Sequence, residues 1–366
     1  MKKMKHRILI SVSVLVALFS CTKFEVRAPR IDQKEVRFNE PVVSNLTKAV
    51  GEISGLYPDT ESFGVFCLQH AEEFSGWGAG SIYIDGGEFR YKGSLDDDDS
   101  DAYGGWAGYP GGYFFPMSGY LSFAAYSPFR AHSTETPQPA GTGQISYGAD
   151  GLIITDFSIP VLPAEQYDLM FSKRIYNMQS STGAGDGYEG MDLEFQHALS
   201  SIKFNVQKKE AYDGDEVKLT GIRLGKVQYK GSFAEGITNE TPADFEHNPK
   251  WNLNADLHDS YTVFSGSLPI SQYGLNNYHS INQGLILMPQ VLNEGGTTNW
   301  DAYITVDYSV NSTEMTATVR LHELTDKWEM GKRYTYNIIL QYDKITFGPT
   351  ADGAGWDDVN VGASIK

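Results

Sequence analysis

Apolar and polar positions alternate along extended tracts of this chain with a period of two. Ile202, Phe204 and Val206 are separated by polar residues, as are Val217 and Leu219, Ile222 and Leu224, and Val227 and Tyr229. The spacing returns at Ile304, Val306, Tyr308 and Val310, at Ala317, Val319 and Leu321, and at Tyr334, Tyr336, Ile338 and Leu340. Such a period marks strands that bury one face. Helical spacing is scarce. Short strands between Gly, Asn and Asp clusters predict an all-β chain of antiparallel sandwiches rather than a parallel α/β sheet.

The first half is less regular. Gly76 to Gly80 and Gly104 to Gly112 supply turns, and Thr134 to Gly143 reads as an exposed loop. The Ser/Gly-rich stretch Ser180 to Gly190 places a boundary between a domain over 35–190 and a domain over 191–366. Residues 22–34 are polar and aperiodic, and they read as a flexible tether.

The first 21 residues change the picture most. A basic start, Met1 to Arg7, precedes an apolar run from Ile8 to Phe19, then Ser20 and Cys21. This is the layout of a secretory signal peptide. The run is too short to span a bilayer, which takes roughly 20 residues. Cys21 is the residue a bacterial lipoprotein pathway acylates, predicting a palmitate-type anchor in the outer membrane. Residues 1–21 hold four of the 29 basic residues and none of the 46 acids, so the remainder carries a net charge of −21. That charge argues against nucleic acid as a partner. Only Cys67 remains after Cys21, in the apolar run Phe63 to Leu68, where it reads as a buried, inert thiol.

Enzyme motifs are missing: no nucleophile elbow, no His-Glu-x-x-His, no phosphate loop and no dinucleotide fingerprint. No catalytic residue, metal site or cofactor is assigned. His197 falls in an alternating strand and reads as structural. The run Asp96 to Asp101 offers oxygen ligands for Ca²⁺, but it lacks EF-hand spacing and reads as a solvated loop. Trp77, Tyr103, Trp106, Tyr109, Tyr113 and Phe114 crowd one region. Exposed, such rings could stack on sugars; packed, they form core.

Several fragments resemble, in order, the fimbrillin-like (major fimbrial subunit-like) lipoproteins of Bacteroidales, the subunits of type V pili. They are the signal and Cys21, Val36-Arg37-Phe38, Thr47-Lys48-Ala49, Ser62 to Phe66, Leu121 to Pro128, Asp168-Leu169-Met170, Phe195 to Phe204, Leu287 to Gln290 and Trp328 to Tyr336. The resemblance implies two tandem transthyretin-like antiparallel β-sandwiches. It also implies export as a lipoprotein and assembly into a surface fimbria. In the family a protease clips after a basic residue near the end of the first strand, and a neighbouring subunit's strand fills the groove that opens.

The residue matching the cleavage position is Lys48, where the family more often has Arg. Three outcomes follow: a Lys-tolerant protease, a subunit never clipped, or cleavage elsewhere. The donor strand expected near the C-terminus is Val359, Val361, Ala363 and Ile365, spaced by two. Lys344 to Phe347 is a second alternating segment. The plainer reading of the terminal segment is a last strand of the C-terminal sandwich. Partners would be other subunits, the membrane through lipid, and a host or glycan receptor. The alternative is a lipid-anchored monomeric adhesin. Strand exchange would lose its mechanism if the opening strand lay hydrogen-bonded on both flanks inside a closed sheet and beyond a protease's reach.

Overall fold

The computed structural model describes residues 34–43, 55–92, 105–179, 190–239, 241–255, 258–281, 284–292, 302–342, 344–348 and 357–361. Among these the regular elements are β-strands and three-residue 3₁₀ turns. No helix among them is long and apolar enough to cross a membrane. The chain is all-β, in several sheets.

The alternating tracts become strands with buried inner faces. In Ser200–Lys208, Ile202, Phe204 and Val206 are fully buried. In Tyr303–Val310 so are Ile304, Val306 and Val310. Val217–Gln228 is one long strand, although its apolar pairs change phase twice, from Leu219 to Ile222 and from Leu224 to Val227. The register shifts at those two places. Each shift inserts an unpaired residue, a β-bulge, which turns the next side chain back to the same face. Lys226 lies at the second with φ 56°.

Two sheets form a sandwich from the later strands. One runs in the order His258–Pro269, Val217–Gln228, Tyr303–Val310, Thr313–Arg320. The other runs His279–Ser280, Ser200–Lys208, Lys332–Leu340, Ile345–Phe347, with Asp357–Val361 also on Lys332–Leu340. Most pairings are antiparallel. Ser200–Lys208 and Lys332–Leu340, however, run parallel, from Ser201 beside Arg333 to Lys208 beside Leu340.

A third sheet joins Gln144–Gly148, Gly151–Ser158, Lys230–Ala234 and Lys250–Leu253, so it draws strands from both sides of residue 190. Its Ile154, Phe157 and Phe233 belong to the same core as the sandwich. A buried ion pair ties this sheet down. Arg174 Nη1 lies 2.6 Å from Glu235 Oε1, with both side chains at most 4% exposed. The Leu152 N–H donates to Glu235 Oε2 at 3.0 Å. Burial pushes the Glu235 carboxyl up, but hydrogen bonds from His247 and Arg174 and the Arg174 charge outweigh it and hold it below its ordinary value. Gly151, at φ +84°, leaves room for the pair: a Cβ there would lie 2.6 Å from Glu235 Oε2.

The remaining large sheet encloses a separate core. Its strands run in the order Arg37–Phe38, Trp106–Gly108, Ser81–Tyr91, Ser62–His70, Tyr120–Ser127, Met170–Ser172, Glu194–His197, Val42–Val43, Gly55–Leu56. The first and eighth places belong to one continuous stretch of chain. Residues 37–43 therefore bridge the two ends of the sheet and close it.

Candidate functional site

The opening segment, residues 34–43, is the seam of that closed sheet. It runs antiparallel to Trp106–Gly108, with Arg37 opposite Ala107 and Phe38 opposite Trp106. The Val36 N–H donates to the Tyr113 carbonyl at 2.7 Å, and the Phe115 N–H to the Lys34 carbonyl at 2.9 Å. On the other flank it runs parallel to 191–195. The Met191 N–H donates to the Arg37 carbonyl, the Asn39 N–H to the Met191 carbonyl and the Val42 N–H to the Leu193 carbonyl, each at 2.9 Å. Val42 and Val43 also pair with Leu56 and Gly55.

Side-chain alternation explains this placement. Val36 and Phe38 point into the core, and Arg37 points out. The phase breaks at the bend at Glu40, and Pro41 and Val43 are then buried while Val42 is 50% exposed. Phe38 is fully buried, with the rings of Phe89, Phe63 and Phe123 edge-on at 5.2, 5.7 and 5.7 Å. Charge fastens the outer face: Glu35 receives Arg37 at 2.7 Å and Lys92 Nζ at 2.7 Å. Asn39 Nδ2 donates to Asp192 Oδ1 at 2.7 Å.

Tyr57 belongs to the same core but lies beyond the opening segment. Its hydroxyl shares a hydrogen bond with Ser127 Oγ at 2.7 Å and donates to the Ser62 carbonyl at 3.0 Å. Its ring stacks on Phe195. Cys67 is buried in this core, and burial pushes its thiol well up, as expected of an inert cysteine.

Cys21, Lys48, Ala363 and Ile365 lie outside the described residues, as does the acidic run Asp96 to Asp101. Val359 and Val361 fall in Asp357–Val361, which pairs parallel with Lys332 to Tyr336 of its own chain. His197 is buried with its Nδ1 at 2.6 Å from Asp168 Oδ2. These residues are 29 positions apart, and nothing in the sequence pairs them. The aromatic cluster divides: Trp77 and Trp106 are core, while Tyr109 and Phe114 are roughly half exposed. Arg90 covers one face of Tyr109 at 3.8 Å. Among the described residues no group of three or more His, Cys, Asp or Glu is arranged to hold a metal. Sequence alone did not show that 191–195 flanks the opening segment, or that Lys92 meets Glu35.

The fold has relatives among solved structures. A fimbrial protein from Bacteroides vulgatus ATCC 8482 superposes with a TM-score of 0.50 at 16% identity, over 87% of this chain and 99% of that one. A protein assigned to cell adhesion from Bacteroides uniformis ATCC 8492 gives 0.47 at 12% identity, over 86% and 95%. Another with that assignment, from Bacteroides ovatus ATCC 8483, gives 0.46 at 16%, over 88% and 97%. Among curated proteins none matches this chain in sequence. The fimbrillin-like family model matches residues 59–352, most of the chain, and the protein belongs to the fimbrillin-like family.

Proposed function

We propose that this protein is a structural subunit of a surface fimbria, exported as a lipoprotein acylated at Cys21 and assembled by exchange of its opening strand. The observation that carries the reading is the seam. Residues 34–43 supply Val36, Phe38 and Val43 to a closed core, yet they are joined covalently to it only through the stretch that contains Lys48. Cleavage after Lys48 would free that segment. What stays behind is a slot lined by Phe63, Phe89 and Phe123, with backbone groups of Tyr113, Met191 and Leu193 left unpaired on its flanks. Unpaired strand groups and empty apolar pockets are what β-strand addition satisfies.

The pairing of the segment on both flanks has a consequence. Both flanks of the segment are taken inside a closed sheet, so removal must precede exchange, and the mechanism stands or falls on protease access at Lys48. A head-to-tail joint then extends into a filament when its rotation does not close. Family membership and the all-β fold support a role at the cell surface with other subunits.

The test uses purified protein and a trypsin-like protease, followed by mass spectrometry of the N-terminus and gel analysis. Release of a fragment ending at Lys48, then a ladder of multimers, is expected. A clipped protein that remains monomeric and binds glycans would replace this reading with that of a lipid-anchored adhesin. Protein resistant at Lys48 in the native fold would remove the mechanism.

A further inference from the structure

The open flank of the later sandwich carries a groove that the fimbrial reading does not use. One sheet ends there in His258–Pro269 and the other in His279–Ser280, and among the described residues no strand pairs with the far side of either. The groove runs between residues 262–268 of the first strand and 279–281 of the second, with a volume of about 490 Å³. Small-ligand sites span ~300–1,000 Å³. No Lys, Arg, Asp or Glu lines it.

Strand pairing determines which side chains face the groove, because residues opposite each other in an antiparallel pair share a face. Phe264 stands opposite Ile222 and Leu268 opposite Leu219, both fully buried, so Phe264 and Leu268 point to the inside of the sandwich. His279 stands opposite Val206, also fully buried, and points inward from the other sheet. Yet all three are only partly buried. The facing strand is two residues long, too short to cover them. A histidine is also unexpected at an inner position whose surroundings, Val206, Phe204 and Ile281, are apolar and buried. The register of His258–Pro269 shifts twice here, between Thr262 and Phe264 and between Ser265 and Leu268. Such bulges break the regular ladder along a free edge and protect it from strand addition. The charge on this strand pair lies on the other face: Arg223, opposite Thr262, is held by Asp307 at 2.8 Å.

We propose that this groove binds a neutral saccharide of one or two rings, with a sugar face on the Phe264 ring and hydroxyls directed to His279 and to the edge peptide groups of 262–268. The aromatic ring and aliphatic floor suit the C–H face of a sugar. The imidazole offers hydrogen bonding at both ring nitrogens, and edge N–H and C=O groups seek partners. An alkyl chain would leave those polar groups unpaired. An acidic sugar would find no cation in the groove, on a chain whose net charge past residue 21 is −21. A peptide strand would meet a bulged edge. The site belongs to the later core, separate from the core that holds the opening segment, so it stands apart from strand exchange. In a fimbria every subunit would carry one such site, and repetition raises avidity without any new contact.

The test is saturation-transfer-difference NMR on unclipped full-length protein. The probes are galactose, glucose, mannose, N-acetylglucosamine and N-acetylgalactosamine, with N-acetylneuraminic acid as the anionic control. At least one neutral sugar should receive saturation, strongest at the protons of one ring face, and the acid should receive none. Phe264→Leu keeps apolar volume but removes the ring, and it should weaken binding about fivefold or more. His279→Ala should weaken it about fivefold. Leu268→Trp, which fills the groove, should abolish it. Tyr109→Ala, on the other large sheet, should leave it unchanged. Thermal melts matched to the parent separate loss of the site from loss of the fold. No binding by any neutral sugar, binding that survives Leu268→Trp, loss in Tyr109→Ala, or equal binding of the acidic sugar would overturn the proposal. A decapeptide of alternating Thr and Val that protects the amides of 258–269 from exchange, in protein that binds no sugar, would assign the groove to strand addition instead.

Discussion

Replacing Phe38 with Ala is the sharpest probe of the seam. The ring is fully buried and has three phenylalanine rings edge-on at 5.2 to 5.7 Å. Truncating a buried Phe to Ala costs about 3–5 kcal/mol, depending on how far the site can collapse. Here collapse is restricted, because backbone hydrogen bonds hold residues 36–42 from both flanks. At least the middle of the range is expected, about 4 kcal/mol, or about a thousandfold in the folded ratio. The two cores are separate, so a single global melt could hide the loss. Hydrogen exchange resolves it. Amides of Val65, Cys67 and Phe123 should lose protection, and those of Val306 and Tyr336 should keep it. Val42→Ala is the control: it lies in the same segment but is 50% exposed, and it should cost below about 1 kcal/mol. A cost for Phe38→Ala no larger than that of Val42→Ala would refute the view that the opening segment is part of this core.

Three other outcomes are expected. Glu235→Gln should destabilise by about 3–5 kcal/mol, because it leaves Arg174 buried without its anion; denaturant titration measures this. The folded Glu235 carboxyl lies below its ordinary value, so its contribution is full above pH about 4.3 and fades as pH falls through the folded value; stability–pH curves of parent and Glu235→Gln should therefore converge toward low pH. Cys67 should resist a thiol reagent in intact protein and label quickly once the clipped segment is displaced, since Phe38 packs on Phe123 and Phe123 pairs with Cys67; equal rates before and after would contradict a shared core. Cys21→Ser should abolish acylation and move the protein from the membrane to the soluble fraction, as mass spectrometry and fractionation would show.

Much of the fold was legible because alternation is a local signal. The inward positions of Ser200–Lys208 and Tyr303–Val310 were readable residue by residue. The three apolar pairs between Val217 and Tyr229 alternate visibly, but that they share one strand was not legible, since a bulge shifts phase without any change in composition. The Ser/Gly stretch before residue 190 suggested a clean division. Yet Lys230–Ala234 pairs with Gly151–Ser158, a contact set by long-range packing that no local pattern encodes. At the seam, Val36-Arg37-Phe38 was readable as a fragment resembling the family's first strand. Its flanking strands were not, because one lies about 70 residues on and the other about 150. The Glu35–Lys92 and His197–Asp168 contacts were hidden for the same reason.

That same separation governs the order of folding. The opening segment is the earliest described strand to be synthesised, but its neighbours at 106–115 and 191–195 come much later. Ser200–Lys208 likewise waits for Lys332–Leu340. Closing such long loops is slow, and non-local strand pairing ranks among the slowest steps in folding. Every newly made chain therefore holds residues 34–43 before either flank of their place in the sheet exists, and the first core can close only after residues 191–195 have been made.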